Sequence, residues 1–340
     1  MAYLLIIIFL NSNSYGENNR YFEFDKGIIA LMYHRFDEHK YPSTNIQMDI
    51  FKEQINIIEN LKINFLHPKN FNEEISKPNE EKKILLTIDD GFQSFYDNAW
   101  PILKKKNIPF ILFISTAYVG KNGYMNWEQI KEIEKSGLGI IGNHSHTHEY
   151  LVDKTNNQII NDLNQAIALF EKELGHSPSY FSYPFGEYSN DFKKILINLN
   201  FNVAFGQHSG VIDGTKNYLE LPRFPINEKY GNLDRFKFII DLLPFPYKEI
   251  YPENRYLQKN ENPPELRVTF FKNQKNLKNI NCFSNEGNRW RDSKIKLGEE
   301  NILTINFEEK FTTERGRINC SLNDKNGWRW LGIQYVISEY

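Results

Sequence analysis

Two short polar clusters, each set directly behind an apolar run, constrain this chain more than any other feature. Ile84-Leu85-Leu86 leads into Thr87-Ile88-Asp89-Asp90-Gly91, and Gly139-Ile140-Ile141-Gly142 leads into Asn143-His144-Ser145-His146-Thr147-His148. A short apolar run of this kind reads as a strand buried on both faces, as in parallel sheets. The polar clusters then fall at the carboxyl ends of strands, where α/β barrels and open α/β sheets place their active sites. Imidazoles at i and i+4 lie on one side of a helical turn, or together in a tight loop. His144 and His148 with one carboxylate from the neighbouring strand make three donors for a single divalent metal ion, leaving positions for water and substrate. Adjacent carboxylates in a strand point opposite ways. Gly91 lets the chain turn, so that Asp89 and Asp90 both reach the pocket with different tasks. His146 lies off the ligand face and is expected to be structural.

The rest of the chain reads as the scaffold for those clusters. Strands are expected at 27–33, 65–66, 84–88, 110–115, 139–142, 180–183 and 201–205. Helices are expected at 49–64, 93–107, 127–136, 157–174, 189–199 and 232–243. The clearest helix carries Ile159, Leu163, Ile167, Phe170 and Leu174 on one face, with Gly175 to close it. Alternating strands and helices imply parallel βα units, and seven of them suggest a distorted or incomplete (β/α)7 barrel. Beyond Leu243 the character changes. A proline-rich stretch precedes short segments of period two at 266–271, 302–307, 317–322 and 332–337, the pattern of a small all-β sandwich. The expected organisation is a barrel over 17–248, a linker over 249–264 and a β-sandwich accessory domain over 265–340.

The apolar run 2–10 is too short to span a bilayer, and Ser14-Tyr15-Gly16 resembles a signal-peptidase site. Residues 1–16 are therefore expected to be a signal peptide and the mature chain to be periplasmic or extracellular. In that setting a disulfide between Cys282 and Cys320 is plausible, with two free buried thiols as the alternative. A net charge of −2 over 340 residues gives no basic surplus for nucleic acid. Trp290, Trp328 and Trp330 lie near Arg289, Arg291 and Arg329, a mix suited to stacking on sugars and pairing with acidic groups. Core packing is the other reading of these tryptophans. Because Trp328 and Trp330 alternate, at most one of them is expected to face a sandwich core.

The two clusters, in this order, resemble the first two motifs of the polysaccharide deacetylases, the NodB-homology or carbohydrate esterase 4 group. The resemblance extends from about Gly27 to Leu243. It implies a distorted (β/α) barrel, a divalent metal (usually zinc) and removal of acetyl groups from the amino sugars of a polysaccharide. By position it implies Asp90, His144 and His148 as metal ligands and Asp89 as general base. Phe181-Ser182-Tyr183-Pro184-Phe185-Gly186 resembles the third motif, with Tyr183, Pro184 and Phe185 expected at the substrate. Ser182 departs from the family pattern, standing where many members carry the arginine that orients the base. Leu221-Pro222-Arg223-Phe224 resembles a late segment in the branch that includes biofilm-polysaccharide deacetylases, and leaves Arg223 to orient Asp89. The usual late Leu-x-x-His segment is missing, which makes His208 the candidate general acid. Leu31-Met32-Tyr33-His34-Arg35 fits the same branch, with His34 at the pocket rim. An O-acetyl esterase or small-amide hydrolase on the same fold, and a non-catalytic glycan-binding protein, are the alternative readings.

Overall fold

The computed structural model describes residues 26–76 and 81–338, so the expected signal peptide lies outside the described residues. Eight parallel strands build the first unit: β1 (Ile28–Tyr33), β2 (Asn64–Phe65), β3 (Lys83–Ile88), β4 (Phe110–Ile114), β5 (Gly139–Asn143), β6 (Tyr180–Ser182), β7 (Val203–Phe205) and β8 (Phe224–Pro225). Their order is β8-β1-β3-β4-β5-β6-β7, with β2 paired to β3. A bridge from Phe205 to Leu221 and the pairing of Phe224 with Leu31 join the two ends of the sheet into a distorted barrel. Seven of these strands lie at the expected places. The eighth, β8, is two residues long and ends in proline, too short to carry any periodicity.

Alternation along the strands decides what reaches the barrel interior. Ile28 and Ala30 of β1, Leu85 of β3, Ile111 and Phe113 of β4, and Val203 and Phe205 of β7 pack together inside. Ile29, Leu31, Ile84, Leu86, Phe110 and Leu112 point outward to the helices. Continuing the inward set by two residues gives His34, Thr87, Asp89, His144, Ser182 and Arg223. One layer at the carboxyl end of the barrel therefore holds nearly every polar residue singled out above. Gly142 makes room within it, since a Cβ there would meet Phe113 Cδ1 at 2.4 Å.

The outer helices are α1 (Met48–Asn60), α2 (Phe71–Ser76), α3 (Trp100–Lys106), α4 (Trp127–Lys135), α5 (Asn156–Leu174), α6 (Asn190–Asn198) and α7 (Leu233–Asp241). The span 93–107 is not one helix. A wide turn over Phe95–Ala99 precedes α3, whose first turn takes Pro101, where the missing N–H costs no intrahelical bond. Thr155 and Gln158 form a capping box at the start of α5, and Gly175 ends it in a left-handed conformation at φ 82°.

The second unit is a two-sheet β structure. One sheet runs β9 (Glu249–Tyr251), β11 (Leu266–Thr269), β15 (Ile302–Asn306), β14 (Lys294–Leu297). The other runs β10 (Tyr256–Leu257), β17 (Gly327–Ile337), β16 (Arg315–Asp324), β12 (Asn281–Ser284), β13 (Arg291–Asp292). The stretch expected as a linker thus carries β9 and β10, each paired into one of these sheets. Cys282 and Cys320 face each other on β12 and β16 and form a disulfide inside the core. Strand β17 lies against the barrel: Gly332 N donates to Ser209 O at 2.7 Å, and Trp330 Nε1 donates to Ser209 Oγ at 2.9 Å. Trp328 and Trp330 both contact Phe238 of α7, so these two line the junction between the units and neither fills the sandwich core.

Candidate active site

Asp90, His144 and His148 bring one ligand atom each within 4.8 Å of one another. Asp90 Oδ1 stands 3.4 Å from His144 Nε2 and 3.3 Å from His148 Nε2. Ligands at about 2.0–2.1 Å from a tetrahedral cation stand about 3.3–3.4 Å apart, so these separations match two edges of such a site. His144 Nδ1 lies 2.7 Å from the Ser182 carbonyl oxygen and donates to it, which fixes the ring with Nε2 facing Asp90. The donor set, one carboxylate and two imidazoles, suits a borderline divalent cation such as zinc.

The electrostatics favour positive charge at this point. Burial lowers the His144 pKa, and the carboxylates of Asp89 and Asp90 more than reverse it, for a net rise. Burial raises the Asp90 pKa, but its hydrogen bond to His144 and the neighbouring imidazoles hold it well below the carboxylate range. Burial together with His144 lowers the His148 pKa to about 4, so that ring is neutral near pH 7.

Asp89 is fixed by a different network. Arg223 Nη1 donates to Asp89 Oδ1 at 2.7 Å and Nη2 donates to Oδ2 at 2.8 Å, with both side chains fully buried. The remaining donors of Arg223 reach Ser182 Oγ at 2.8 Å, Thr87 Oγ1 at 3.1 Å and the Gly206 carbonyl at 3.0 Å. Every N–H of the guanidinium is used. Ser182 Oγ in turn donates to Asp89 Oδ2 at 3.2 Å. The guanidinium also sits over the rings of Phe113 and Phe205, at 5.6 and 5.7 Å from their centroids. Burial pushes the Asp89 pKa up, yet Arg223 and His144 outweigh it and the net shift is downward. Asp89 Oδ2 is 3.8 Å from His144 Nε2, beside the donor triangle.

Local backbone explains how neighbouring residues reach one pocket. Asp90 at φ 76° and Gly91 at φ 76° turn the chain immediately after Asp89, so both carboxylates face inward. Ser145 (φ 69°) and His148 (φ 54°) curl the second cluster into a tight loop rather than a helical turn. Asp162 of α5 holds that loop, accepting from His146 N at 2.8 Å, Thr147 N at 3.0 Å and Thr147 Oγ1 at 2.6 Å. Its sequence signal is a carboxylate on the apolar face of α5, between Ile159 and Ala166. His146 turns away, with Nδ1 at 2.8 Å from Thr116 Oγ1.

The donors open onto a cleft of about 400 Å³ that His34, Phe185 and His208 also line. Burial lowers the His34 pKa, and lowers that of His208 to about 4. Phe185 stacks on Tyr150 at 4.0 Å between centroids and meets His148 edge-on at 4.8 Å. Tyr183 and Pro184, expected at the substrate, are buried instead. The Tyr183 hydroxyl donates to the Leu219 carbonyl at 2.9 Å, because alternation sends this ring outward, where it packs among Phe181, Tyr188 and Phe192. Of the three C-terminal tryptophans only Trp290 lines the cleft, beside Arg315, Arg317 and Gln334 from the β unit. Of that wall, the sequence had pointed to Trp290 and not to Arg315, Arg317 or Gln334.

Residues 76–204 match the sequence model of the polysaccharide deacetylase family. A poly-β-1,6-N-acetyl-D-glucosamine N-deacetylase of Staphylococcus aureus is 25% identical over 244 residues, spanning 64% of this chain and 82% of that protein. The structure of IcaB from Ammonifex degensii superposes with a TM-score of 0.56 and 26% identity, over 63% of this chain and 96% of that one. The Streptococcus pyogenes deacetylase PplD, solved with acetate, shares the fold at TM-score 0.55 and 23% identity, over 60% of this chain and 94% of its own. Residues 76–204 are thus a polysaccharide deacetylase domain by their sequence model, and the barrel that contains them has the fold of the solved deacetylases.

Proposed function

We propose that the chain hydrolyses N-acetyl groups on amino-sugar residues of a polysaccharide, with a divalent cation, Zn2+ by its donor set, held by Asp90, His144 and His148. The observation that carries this reading is the donor triangle at 3.3 and 3.4 Å beside the Arg223-held carboxylate of Asp89. A cation bound there supplies Lewis acidity, which lowers the pKa of a water and offsets charge on the acetyl oxygen. Asp89, ionised at neutral pH, takes a proton from the attacking water, and Arg223 keeps its carboxylate from rotating away. The water oxygen adds to the acetyl carbon, the C–N bond breaks, acetate leaves, and the nitrogen must gain a proton to depart as an amine. We assign that transfer to His208. Its ring lines the cleft and is neutral near pH 7, and its buried Nδ1 has no hydrogen-bond partner among the described residues. The proton that the amine gains is matched by the one that Asp89 takes from the attacking water, so the cycle balances. His34 and Phe185 bound the space where the acetylated ring rests, and Phe185 offers it a flat apolar face.

The reading includes export, to the periplasm or beyond, which the buried Cys282–Cys320 disulfide supports. No helix among the described residues is long and apolar enough to cross a membrane. The catalytic unit is assigned to 17–248, with the β unit as an accessory domain over 265–340 that also recruits the strands at 249–257.

The test is acetate release from acetylated chito-oligomers and from acetyl-xylan, with and without chelator, on wild type and Asp90→Ala. Release from chito-oligomers that chelator abolishes, zinc restores and Asp90→Ala lacks is the expected result. Release from acetyl-xylan alone would move the reading to an O-acetyl esterase. Glycan binding without acetate release in added zinc would leave a non-catalytic glycan-binding protein.

A further inference from the structure

The cleft is closed on one side by the accessory β unit, and its charge is uneven. Among its lining residues Asp90 is the sole carboxylate, while Arg235, Arg315 and Arg317 contribute guanidinium groups. Arg315 is already engaged: its Nε contacts Glu187 Oε1 at 2.5 Å and Nη2 reaches the Tyr150 hydroxyl at 3.2 Å. The other two are different. Arg317, on β16, spends Nε on Gln334 Oε1 at 3.2 Å and makes no ion pair among the described residues, and both of its terminal nitrogens lack partners. Arg235, on α7, spends Nη1 on the Pro225 and Tyr230 carbonyls and also has no carboxylate partner among the described residues. Tyr230 connects the two walls. Its ring lies 5.1 Å from the Arg235 guanidinium, and its hydroxyl is among the groups that act on Arg317.

A guanidinium fork without a partner is a ready receptor for a carboxylate or phosphate. Desolvation has already been met at both sites: burial lowers the Arg317 pKa, and lowers that of Arg235 to about 10. The direction of the chemistry points the same way. Each acetyl group removed leaves a basic amine, so a neutral polymer becomes cationic as it is processed and is repelled by these guanidinium groups. A polymer with acidic substituents is held through the reaction.

We propose that the glycan taken by this cleft carries an anionic substituent, carboxylate or phosphate, on a sugar close to the acetylated residue, and that Arg317 and Arg235 receive it from opposite walls. This rests on the deacetylase reading above for the acetylated residue itself. The accessory unit is then a specificity element of the active-site cleft, and Trp290, 52% exposed at its rim, offers the adjoining ring a stacking face.

The test compares three oligosaccharide probes on the full chain: N-acetylglucosamine oligomers, oligomers alternating N-acetylglucosamine with glucuronate, and N-acetylglucosamine oligomers bearing phosphodiesters. The expected result is a kcat/KM for one anionic probe at least about tenfold above the neutral one, expressed mainly in KM and eroded by salt. In Arg317→Gln and, separately, Arg235→Gln, that anionic-to-neutral ratio falls about tenfold, and Arg317→Lys recovers part of it. The better anionic probe identifies the substituent. Equal or better use of the neutral oligomer, or a ratio that neither glutamine variant changes, would overturn the proposal. Equilibrium titration of the same probes needs no turnover. A chain that releases no acetate but binds the anionic probe in an Arg317-dependent way would lose the deacetylase reading and keep charge selection. Binding with no charge preference would remove this inference alone.

Discussion

Replacing Arg223 by alanine tests whether one side chain holds the base in place of the missing motif arginine. Arg223 and Asp89 are both fully buried, and two short charge-assisted hydrogen bonds join them at 2.7 and 2.8 Å. The substitution leaves Asp89 with the Ser182 hydroxyl as its one remaining side-chain donor among the described residues, and both of these side chains are fully buried. Removing one partner of a buried ion pair costs about 3–5 kcal/mol, because the remaining charge is uncompensated. Against a total stability of about 5–15 kcal/mol this is a large fraction, so melting is expected well below wild type. The surviving protein also has a base that is free to rotate or take up a proton, and acetate release is expected to fall about 10²–10⁴-fold. Position 182 offers the control. Ser182 lies on the same inward layer with its Oγ 3.2 Å from Asp89 Oδ2, and the alanine vacates the volume above Phe113 and Phe205. Adding Ser182→Arg to Arg223→Ala is expected to restore part of both stability and rate, as the family pattern has it. Melting by circular dichroism and acetate release on chito-oligomers read the two quantities separately. An Arg223→Ala protein that melts like wild type and stays within about threefold of its rate would refute the assignment of base positioning to this residue.

Three further outcomes follow from other contacts. Asp162→Ala removes three hydrogen bonds from the His146–Thr147 backbone and hydroxyl, so the ligand loop loosens. Zinc affinity, read by competition with a chromophoric chelator, is expected to drop about 10–100-fold, and an unchanged affinity would show the loop to be held by its own turns. Glu187 gives a pH dependence: burial, despite Arg315, pushes its pKa from 4.5 up to about 7. The folded chain then holds a proton that the unfolded chain has lost, so this group's contribution is full below about pH 4.5 and declines as pH rises through 7, by up to about 3 kcal/mol. Glu187→Gln should flatten the melting profile over that window, and parallel profiles would count against it. The disulfide closes a loop of sequence separation 38. Cys282→Ser with Cys320→Ser is expected to cost about 4 kcal/mol in chemical denaturation, and a change under about 1 kcal/mol would contradict that loop-closure origin.

The barrel strands and the convergence of Asp90, His144 and His148 were legible because each rests on local signals. Short apolar runs mark the buried strands, and the Asp-Asp-Gly and His-x-x-x-His clusters sit at their ends. The turn geometry was only partly legible, since an i, i+4 pair is equally at home in a helix and in the tight loop that Ser145 and His148 form. Tyr183 and Pro184 went astray for a reason the alternation supplies: Ser182 points inward, so Tyr183 must point outward. The β8 strand and the strands within 249–257 are two or three residues long, below the length at which any period can be counted. Trp290 was singled out on composition alone, whereas Arg315 and Arg317 had no signal, because what brings β16 and β17 to the barrel are contacts between distant segments, such as Gly332 and Trp330 with Ser209 and Arg315 with Glu187.

Ser182 and Arg223 show how one charge requirement can be met from another position in the barrel. The buried carboxylate at 89 needs a bidentate cationic donor, and the barrel interior offers more than one place from which to supply it. Positions 182 and 223 lie on different strand segments, yet both fall on the inward layer, and their side chains already touch, with Arg223 Nη2 at 2.8 Å from Ser182 Oγ. The Arg223 guanidinium already sits over Phe113 and Phe205 and against Ser182 Oγ, so an arginine at 182 would compete with it for that place. A serine there does more than leave room, because its hydroxyl accepts from Arg223 and donates to Asp89 in the same network. On the proposed reading, Ser182 at the third motif is half of a pair whose other half is Arg223. Reading Ser182 alone suggests a lost catalytic function, and reading both together restores the charge and the geometry that Asp89 requires.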